Sequence, residues 1–384
     1  MLYIDIRPLM DGAFTGIPQL TWHLARYWLA RSDARPRFFV GNIEIERPTV
    51  EQLVEQRTGR YFRALRRAHY RAMRPIPSDA LKHGIALYPH TRATREKVFG
   101  QEVQIIHDLT AILTPEFHPE ELLVWESRRF LRDLPDFDHF ICVSEASRND
   151  LVRYFRIDST CTSVAYPGVD WFESHTSVYE AITQTIFEPY VLLFGTFEPR
   201  KNLEIVFEYL INHPRILDSY VFCFCGAEGW GGVYQRCRNN PRIAGFIRAN
   251  RIRFISFVDE RLKYALMKEA SFLVYPSFIE GFGSPVAEAL SVGVPVVVSI
   301  GGSLPEVAGE AGYYFDPSSL ESLDHAIQRV IVDLAHRNAE TRLAAYRQGS
   351  RFTWSAFNDK VREVVEGVAA RAGIELDGRA DRAY

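Results

Sequence analysis

Short apolar runs alternate with helix-like stretches along the whole chain. The runs most typical of strands are, in the first half, Leu2–Ile6, Arg37–Val40, Val103–His107 and His139–Val143, and in the second half Tyr190–Gly195, Tyr220–Cys225, Ile252–Ser256, Phe272–Tyr275 and Pro295–Ser299. Runs of this kind indicate parallel strands that are buried on both faces. Each is followed by a helix candidate, so the pattern predicts α/β layers around parallel sheets.

The two sets of strands predict two doubly wound domains. We place the first domain at residues 1–175, the second at 176–350, and a C-terminal helix with a tail at 351–384. The boundary is predicted in the polar stretch Asp170–Glu188, and the last helix from about Ser355 to Ala372. Such sheets bind ligands at the carboxyl ends of their strands, which predicts a central cleft that the two domains face.

Composition narrows the function classes. The chain has 384 residues, of which 47% are hydrophobic, and a net charge of −3, so no nucleic-acid partner is predicted. No run approaches the roughly 18 apolar residues of a membrane span, and Asp5 stands in a strand-like start that is unlike a signal peptide. The five cysteines lack metal-type spacing and are predicted to be reduced, which indicates a cytoplasmic protein.

The most informative motif contains Glu280 and Glu288, eight positions apart. It follows the strand-like run Phe272–Tyr275 and leads into a helix candidate, for which Ser284 is the predicted N-cap. A strand, a glycine-bearing turn and a helix start form a site that favours anions. Two carboxylates beside it suit a nucleotide sugar, which has hydroxyl groups on both sides of a diphosphate. Helix-start acids that complement the dipole are the alternative, which accounts for Glu288 but not for Glu280.

This segment resembles the signature of the retaining glycosyltransferases of family four, which include bacterial mannosyltransferases and sucrose synthases. The resemblance implies a GT-B fold of two Rossmann-like domains and a metal-independent reaction. It also implies that Glu288 binds the ribose hydroxyls, that Glu280 binds the sugar hydroxyls, and that backbone amides assist at the diphosphate. The donor-binding residues that match this part of the family motif are Glu280, Gly281, Phe282, Gly283, Ser284 and Glu288.

A second turn, Gly195–Asn202, follows the first strand-like run of the second domain. Arg200 and Lys201 within it are suited to neutralise a diphosphate, the arginine through its planar fork and the lysine as a point charge. A solvated basic pair is the alternative, but positive charge at a helix start is slightly unfavourable, which favours a functional role. The turn also resembles the donor-phosphate loop of the family.

Three residues in the first domain complete the candidate site. Gly16 matches a glycine-rich turn that the family places near the donor phosphate, although Pro18 departs from the usual second glycine. His107 and Asp108 end a strand-like run and resemble the His-Asp pair of mannosyltransferase-like members. The resemblance implies that His107 contacts the donor sugar and that Asp108 lies near the acceptor. A structural histidine is the alternative.

Seven arginines occur between Arg57 and Arg74, and no acidic residue stands between Glu55 and Asp79. Apolar residues recur there at helical spacing, which predicts a basic amphipathic helix suited to an anionic membrane surface. A solvated helix that packs on the domain is the alternative, and a nucleic-acid patch, which lacks supporting context, is the third option. The basic residues predicted to contact the membrane are Arg63, Arg67, Arg71 and Arg74.

Together these features predict a retaining hexosyltransferase that uses a nucleotide diphosphate sugar, with GDP-mannose slightly preferred. The predicted acceptor is a glycan or a lipid-linked saccharide in surface polysaccharide synthesis, such as lipopolysaccharide, at the inner face of the membrane. We expect no cofactor and no metal ion, and the predicted catalytic residues are His107, Asp108, Lys201 and Glu280. The alternatives are a GT-B phosphorylase, a nucleotide-sugar epimerase and a non-catalytic sugar-nucleotide-binding scaffold.

Overall fold

The computed structural model describes residues 1–10, 16–31, 35–56, 74–92, 96–169, 171, 188–256 and 258–376. The chain forms two compact units. Unit 1 consists of Met1–Leu109, Val124–Pro167 and Trp354–Tyr384, and unit 2 consists of Thr110–Leu123 and Gly168–Thr353. Most of the stretch in which we predicted the domain boundary lies outside the described residues, so the predicted domain limits stay a prediction.

Unit 1 is built on an eight-stranded sheet of order β4-β3-β2-β1-β5-β6-β7-β8. The pairs are parallel from β2 to β8, whereas β3 runs antiparallel to β2 and to β4. The strands are β1 (Leu2–Asp5), β2 (Arg37–Val40), β3 (Ile43–Ile45), β4 (Arg74–Pro75), β5 (Ile85–Tyr88), β6 (Gln101–Ile106), β7 (His139–Cys142) and β8 (Thr162–Val164).

Helices pack on this sheet, and the last helix of the chain is one of them. The ring of Trp354 stacks on that of His23 at 3.9 Å, and Tyr27 donates a hydrogen bond to Asp359 at 2.7 Å. The helices, numbered in chain order, are α1 (Ile17–Leu29), α2 (Arg47–Gln56), α3 (Ser78–His83), α4 (Thr110–Leu113), α5 (Glu120–Asp133), α6 (Glu145–Phe155) and, at the C-terminus, α15 (Trp354–Arg371). Of these, α4 and the first turn of α5 belong to unit 2.

Unit 2 is built on a six-stranded, fully parallel sheet of order β11-β10-β9-β12-β13-β14. Its central strands are apolar on both faces, as parallel strands covered by helices require. The strands are β9 (Tyr190–Phe194), β10 (Val221–Cys225), β11 (Ile252–Ile255), β12 (Phe272–Tyr275), β13 (Val296–Ser299) and β14 (Gly312–Phe315).

The helices of unit 2 follow its strands in alternation. They are α7 (Leu203–Asn212), α8 (Ile216–Ser219), α9 (Val233–Arg238), α10 (Ala244–Arg248), α11 (Glu260–Glu269), α12 (Ser284–Ser291), α13 (Leu304–Ala308) and α14 (Leu320–Gly349). Short 3-10 turns at Pro115–Phe117 and Pro199–Lys201 carry residues that matter below. Within the described residues, none of the helices combines the length and apolar character needed to cross a membrane.

The predicted α/β class is confirmed, because the chain forms two α/β units that are each built on a mostly parallel sheet. Every predicted strand exists to within two residues at either end. The pattern missed β3, β4, β5, β8 and β14. Of these strands, β3, β4 and β8 have only two or three residues, which is too short to stand out from the surrounding sequence. Strands β5 and β14 have four residues, as several of the predicted strands do, so length does not explain why they were missed.

The predicted basic helix falls mainly outside the described residues, since Arg63, Arg67 and Arg71 lie there. Its last member is described, and the prediction that Arg74 belongs to the helix is wrong. The backbone of Arg74 is extended in β4 and pairs with Glu44 of β3. A residue that pairs with a neighbouring strand is not available to continue a helix, so Arg74 is not a helical residue.

Candidate active site

The sheet of unit 2 brings the two predicted donor-binding turns together. Glu280 lies in the loop between β12 and α12, and Arg200 and Lys201 lie in the Pro199–Lys201 turn after β9. Strands β9 and β12 are parallel neighbours. Their carboxyl ends therefore meet at one edge of the sheet, and the two turns face each other there.

Glu280 is the centre of a buried group of charged side chains. Lys201 Nζ lies 2.6 Å from Glu280 Oε1, and Arg200 Nη1 lies 2.8 Å from Glu280 Oε2. Arg200 Nη2 also donates to Glu198 Oε1 at 2.7 Å, and Lys201 Nζ donates to the Tyr275 hydroxyl at 2.8 Å. We call these five residues the ion cluster. Charged groups at such depth are stable only when they are paired and hydrogen-bonded, as they are here.

The electrostatics of the ion cluster keep its central pair ionised. Burial acts to raise the pKa of Glu280, but the positive charges of Lys201 and Arg200 outweigh it and lower that pKa to about 2. Burial acts to lower the pKa of Lys201, and the Glu280 carboxylate outweighs it and raises that pKa to about 12. At neutral pH, Glu280 is thus a carboxylate that only accepts hydrogen bonds.

A third turn holds the backbone of Glu280 in place. Both the amide and the hydroxyl group of Ser303 donate to the Glu280 carbonyl oxygen, each at 3.1 Å. Gly302 adopts a left-handed φ of +61°, and a Cβ at this position would lie 2.4 Å from the Glu280 carbonyl oxygen. Only glycine permits this close approach, so the Gly302–Ser303 turn after β13 holds the backbone of Glu280 in position.

The start of α12 differs from the prediction in one respect. Its N-cap is Gly283, with a left-handed φ of +84°, and Ser284 is an exposed first helical residue rather than the cap. The left-handed φ of Gly283 favours glycine at this position, and a Cβ there would also lie 2.7 Å from the Leu304 side chain. Gly281 and Phe282 are buried, and the Phe282 ring packs edge-on against Phe352 at 5.4 Å.

Glu288 lies on α12, one turn after the helix start, and has a different environment from Glu280. Its Oε1 accepts from Lys263 Nζ of α11 at 2.5 Å. Among the described residues, its buried Oε2 has no hydrogen-bond partner. Burial raises the pKa of Glu288, and the charge of Lys263 offsets this only in part. An unpaired buried carboxylate oxygen is costly, so it indicates a position that a hydroxyl group of a ligand can satisfy.

The predicted residues of unit 1 lie at the carboxyl end of β6 and at the start of α1. His107 follows β6 and is half-buried; burial lowers its pKa, and its Nε2 lies 2.7 Å from the Pro89 carbonyl oxygen. Since that oxygen only accepts, Nε2 bears the proton of the neutral ring and Nδ1 bears a lone pair. Asp108 is exposed, and Gly16 is the exposed N-cap of α1, with a φ of +52° and a ψ of −110°.

Comparison with known proteins places the chain in a family. Residues 185–347 match the family described as Glycosyl transferases group 1, and residues 16–171 match Glycosyltransferase Family 4. O-antigen chain mannosyltransferase B of Escherichia coli is 30% identical over 292 residues, which cover 72% of this chain and 71% of that protein. The chain belongs to the group 1 and family 4 glycosyltransferases. It is homologous to the O-antigen mannosyltransferases.

Two further similarities agree with this family. O-antigen chain mannosyltransferase RfbU of Salmonella typhimurium is 25% identical over 228 residues, and this chain spans 59% of its length. The crystal structure of Anabaena Alr3699/HepE in complex with UDP aligns with 95% of this chain and with 99% of the HepE chain, with a TM-score of 0.66 and 17% sequence identity. At that identity the likeness concerns the fold alone, and it confirms the predicted GT-B glycosyltransferase fold.

Three functional candidates of this glycosyltransferase were missed by sequence reasoning: Glu198, Tyr275 and Lys263. Glu198 is buried beside Arg200 although it stands in an apparently exposed turn. Its proximity to Arg200 in the sequence was the signal that could have identified it. Lys263 and Tyr275 carry no such signal, because only the fold brings them to Glu288 and Lys201.

We expect Glu280→Gln to lower the stability of unit 2 in a pH-dependent manner. At pH 7 the free energy of unfolding should fall by about 3–5 kcal/mol, because two buried cations lose the carboxylate that they share. The folded-state pKa of Glu280, about 2, lies below its ordinary value of 4.5. Its stabilisation is therefore complete above about pH 4.5 and is lost as the pH falls toward 2. The difference in free energy of unfolding between wild type and variant, measured by urea denaturation, should thus decrease from pH 7 to pH 4.5 and again to pH 3.

Glu363→Gln is the matched control. Glu363 forms an exposed ion pair with Lys360, so its loss should change the free energy of unfolding by less than about 0.5 kcal/mol. A gap between wild type and Glu280→Gln that stays constant with pH would contradict the electrostatic account of the ion cluster.

Proposed function

We propose that this glycosyltransferase moves a hexose from a nucleotide diphosphate sugar, preferably GDP-mannose, to a glycan or lipid-linked saccharide during surface polysaccharide synthesis. The observation that carries the proposal is the convergence of Lys201 and Arg200 on Glu280 at the carboxyl end of the unit 2 sheet. Two relatives are O-antigen chain mannosyltransferases, which supports mannose and this class of product. The UDP bound to Alr3699/HepE supports a nucleotide donor.

Lys201 and Arg200 bind the donor diphosphate in this proposal. Among the described residues, Lys201 Nζ uses two of its three protons on Glu280 and Tyr275, which leaves one for a phosphate oxygen. Because Glu280 already holds both cations in place, they need little reorganisation when charge develops on the leaving diphosphate. The amides at Gly283 and Ser284, at the start of α12, add donors for the same oxygens.

The two glutamates bind hydroxyl groups on opposite sides of that diphosphate. Glu280, which stays ionised, accepts hydrogen bonds from hydroxyl groups of the sugar. Glu288 accepts one from a ribose hydroxyl through Oε2, the atom for which no partner is described. A hydroxyl group at that position would also relieve the cost of the buried oxygen.

The remaining steps concern the sugar and the acceptor. Transfer takes place with retention, by same-face attack of the acceptor oxygen while the bond to the diphosphate breaks. The departing phosphate oxygen takes the acceptor proton. His107 contacts the donor sugar and offers a lone pair at Nδ1, Asp108 orients the acceptor, and Gly16 lies near the donor phosphate. No divalent metal takes part, because the cations of the ion cluster supply the positive charge.

The reaction takes place at the cytoplasmic face of the membrane in this proposal. Lipid-linked acceptors reside there, and the acid-free, arginine-rich stretch between Glu55 and Asp79 suits an anionic surface. The protein would therefore be peripheral rather than membrane-spanning.

The transfer assay uses GDP-mannose with octyl α-mannoside as the acceptor. Proton NMR of the product should show an α-linked mannose, and the rate should be the same in EDTA. A β-linked product would contradict retention, and a rate abolished by EDTA would contradict metal independence. Turnover that needs phosphate, or that occurs without acceptor, would instead indicate a phosphorylase or an epimerase.

Lys201→Ala should weaken GDP binding by about 10- to 100-fold, because one charge-assisted hydrogen bond to phosphate is lost. Isothermal titration of GDP gives the dissociation constant, and circular dichroism checks the fold. Lys268→Ala removes an exposed lysine of the same unit and should leave the dissociation constant within about twofold. Equal affinities for wild type and Lys201→Ala would refute the phosphate assignment.

Replacement of Arg63, Arg67 and Arg71 with glutamate should reduce sedimentation with vesicles of anionic phosphatidylglycerol. Each reversed charge removes about 1 kcal/mol of attraction to the surface and adds repulsion. Neutral phosphatidylcholine vesicles and a triple variant at Arg236, Arg242 and Arg248, which are exposed arginines of unit 2, are the controls. Unchanged sedimentation would contradict membrane contact and favour the alternative, a solvated helix.

A further inference from the structure

The segment Thr110–Leu123 follows β6 of unit 1 in the sequence but belongs to unit 2 by its contacts. Its 3-10 turn, Pro115–Phe117, ends on a phenylalanine whose ring stacks on that of Phe278. The ring centroids lie 4.9 Å apart and the planes are inclined by 5°. Phe278 stands two residues before Glu280, in the loop that carries the centre of the ion cluster.

The backbone of Phe117 is held independently of its ring. Trp230 Nε1, from the loop after β10, donates to the Phe117 carbonyl oxygen at 2.7 Å. The neighbouring His118 ring lies 6.0 Å from the Trp230 ring. The aromatic face presented to Phe278 is therefore fixed by a part of unit 2 other than the loop it contacts.

The Glu280 loop is restrained by backbone bonds on its other sides. The Phe278 amide donates to the Arg200 carbonyl oxygen at 2.9 Å, and the Arg200 guanidinium donates to the Ile279 carbonyl oxygen at 2.8 Å. Phe278 and Ile279 are nevertheless only half-buried. The stacked Phe117 ring on the Phe278 side chain is therefore a further restraint on this loop, in addition to these hydrogen bonds.

We propose that Phe117 is a positioning residue for this glycosyltransferase: its ring holds the Phe278–Glu280 loop so that Glu280 stays aligned with the donor sugar. The effect on turnover rests on the proposed function, whereas the effect on the loop does not. Offset-stacked aromatic pairs stabilise a contact beyond the area they bury, and small displacements of a ligand-aligning group cost large factors in rate. Glu280 is thus supported by the segment Thr110–Leu123, which is separated in the sequence from the rest of unit 2.

The proposal separates nucleotide binding from turnover. Glu288 and Lys263, which lie on α12 and α11, and the cations Lys201 and Arg200, which lie on the turn after β9, belong to elements other than the Phe278–Glu280 loop. Phe117→Ala should therefore raise the Kd for GDP by no more than about two- to threefold, less than its effect on kcat. The kcat for GDP-mannose should fall about five- to tenfold, the loss expected for one stacked pair.

The experiment compares the full-length wild type with Phe117→Ala, Phe117→Tyr and Phe117→Leu. Hydrogen–deuterium exchange of peptides covering residues 277–283 reports the loop directly. Phe117→Ala should raise exchange there about fivefold. Phe117→Tyr should keep both the exchange rate and kcat near the wild-type values. Phe117→Leu should give intermediate values, and it replaces the alanine variant if that variant does not fold. Tyr346→Ala removes an aromatic ring that is 52% exposed on α14 and should change neither exchange nor kcat.

Unchanged exchange at residues 277–283 in Phe117→Ala and Phe117→Leu would overturn the proposal, whatever the activity. Raised exchange with an unchanged kcat would overturn the part that concerns turnover. If the wild type failed to use GDP-mannose at all, the proposed function would fail, and the exchange data would still decide whether Phe117 positions the loop.

Discussion

The shared pairing of the Glu280 carboxylate with Lys201 and Arg200 is the interaction on which the site depends. Both cations come from the turn after β9, and the carboxylate comes from the loop after β12, so the pairing joins the ends of two adjacent parallel strands. It is buried, and it holds because every member has partners: Glu198 and Tyr275 complete the coordination of the cations. Around it, a glycine turn at Gly302 and a stacked phenylalanine at Phe117 restrain the same loop.

The two glutamates of the motif have similar positions in the sequence and opposite electrostatics. Two cations lower the pKa of Glu280, whereas burial beside a single lysine raises that of Glu288. Both oxygens of Glu280 are therefore paired with protein cations, whereas one oxygen of Glu288 has no described partner. This asymmetry suits a ligand with a charged centre between two groups of hydroxyls, which is the chemistry of a nucleotide diphosphate sugar.

The part of this structure that sequence reasoning could predict is the part encoded locally. Short apolar runs such as Phe272–Tyr275 predicted the parallel strands, and the spacing of Glu280 and Glu288 led to the family. Ser284 was wrongly predicted as the N-cap, because the left-handed backbone at Gly283 begins the helix one residue earlier. Lys263 and Phe117 were not foreseen as partners of the site. Their partners stand 25 and 161 positions away in the chain, and only the fold brings them together.

The central claim is that the ion cluster is the donor site, and a crystal structure of the protein with GDP-mannose tests it most directly. The account predicts a phosphate oxygen within hydrogen-bond distance of Lys201 Nζ, a sugar hydroxyl on Glu280 and a ribose hydroxyl on Glu288 Oε2. GDP-mannose bound elsewhere, with the ion cluster intact and out of contact with it, would contradict the account.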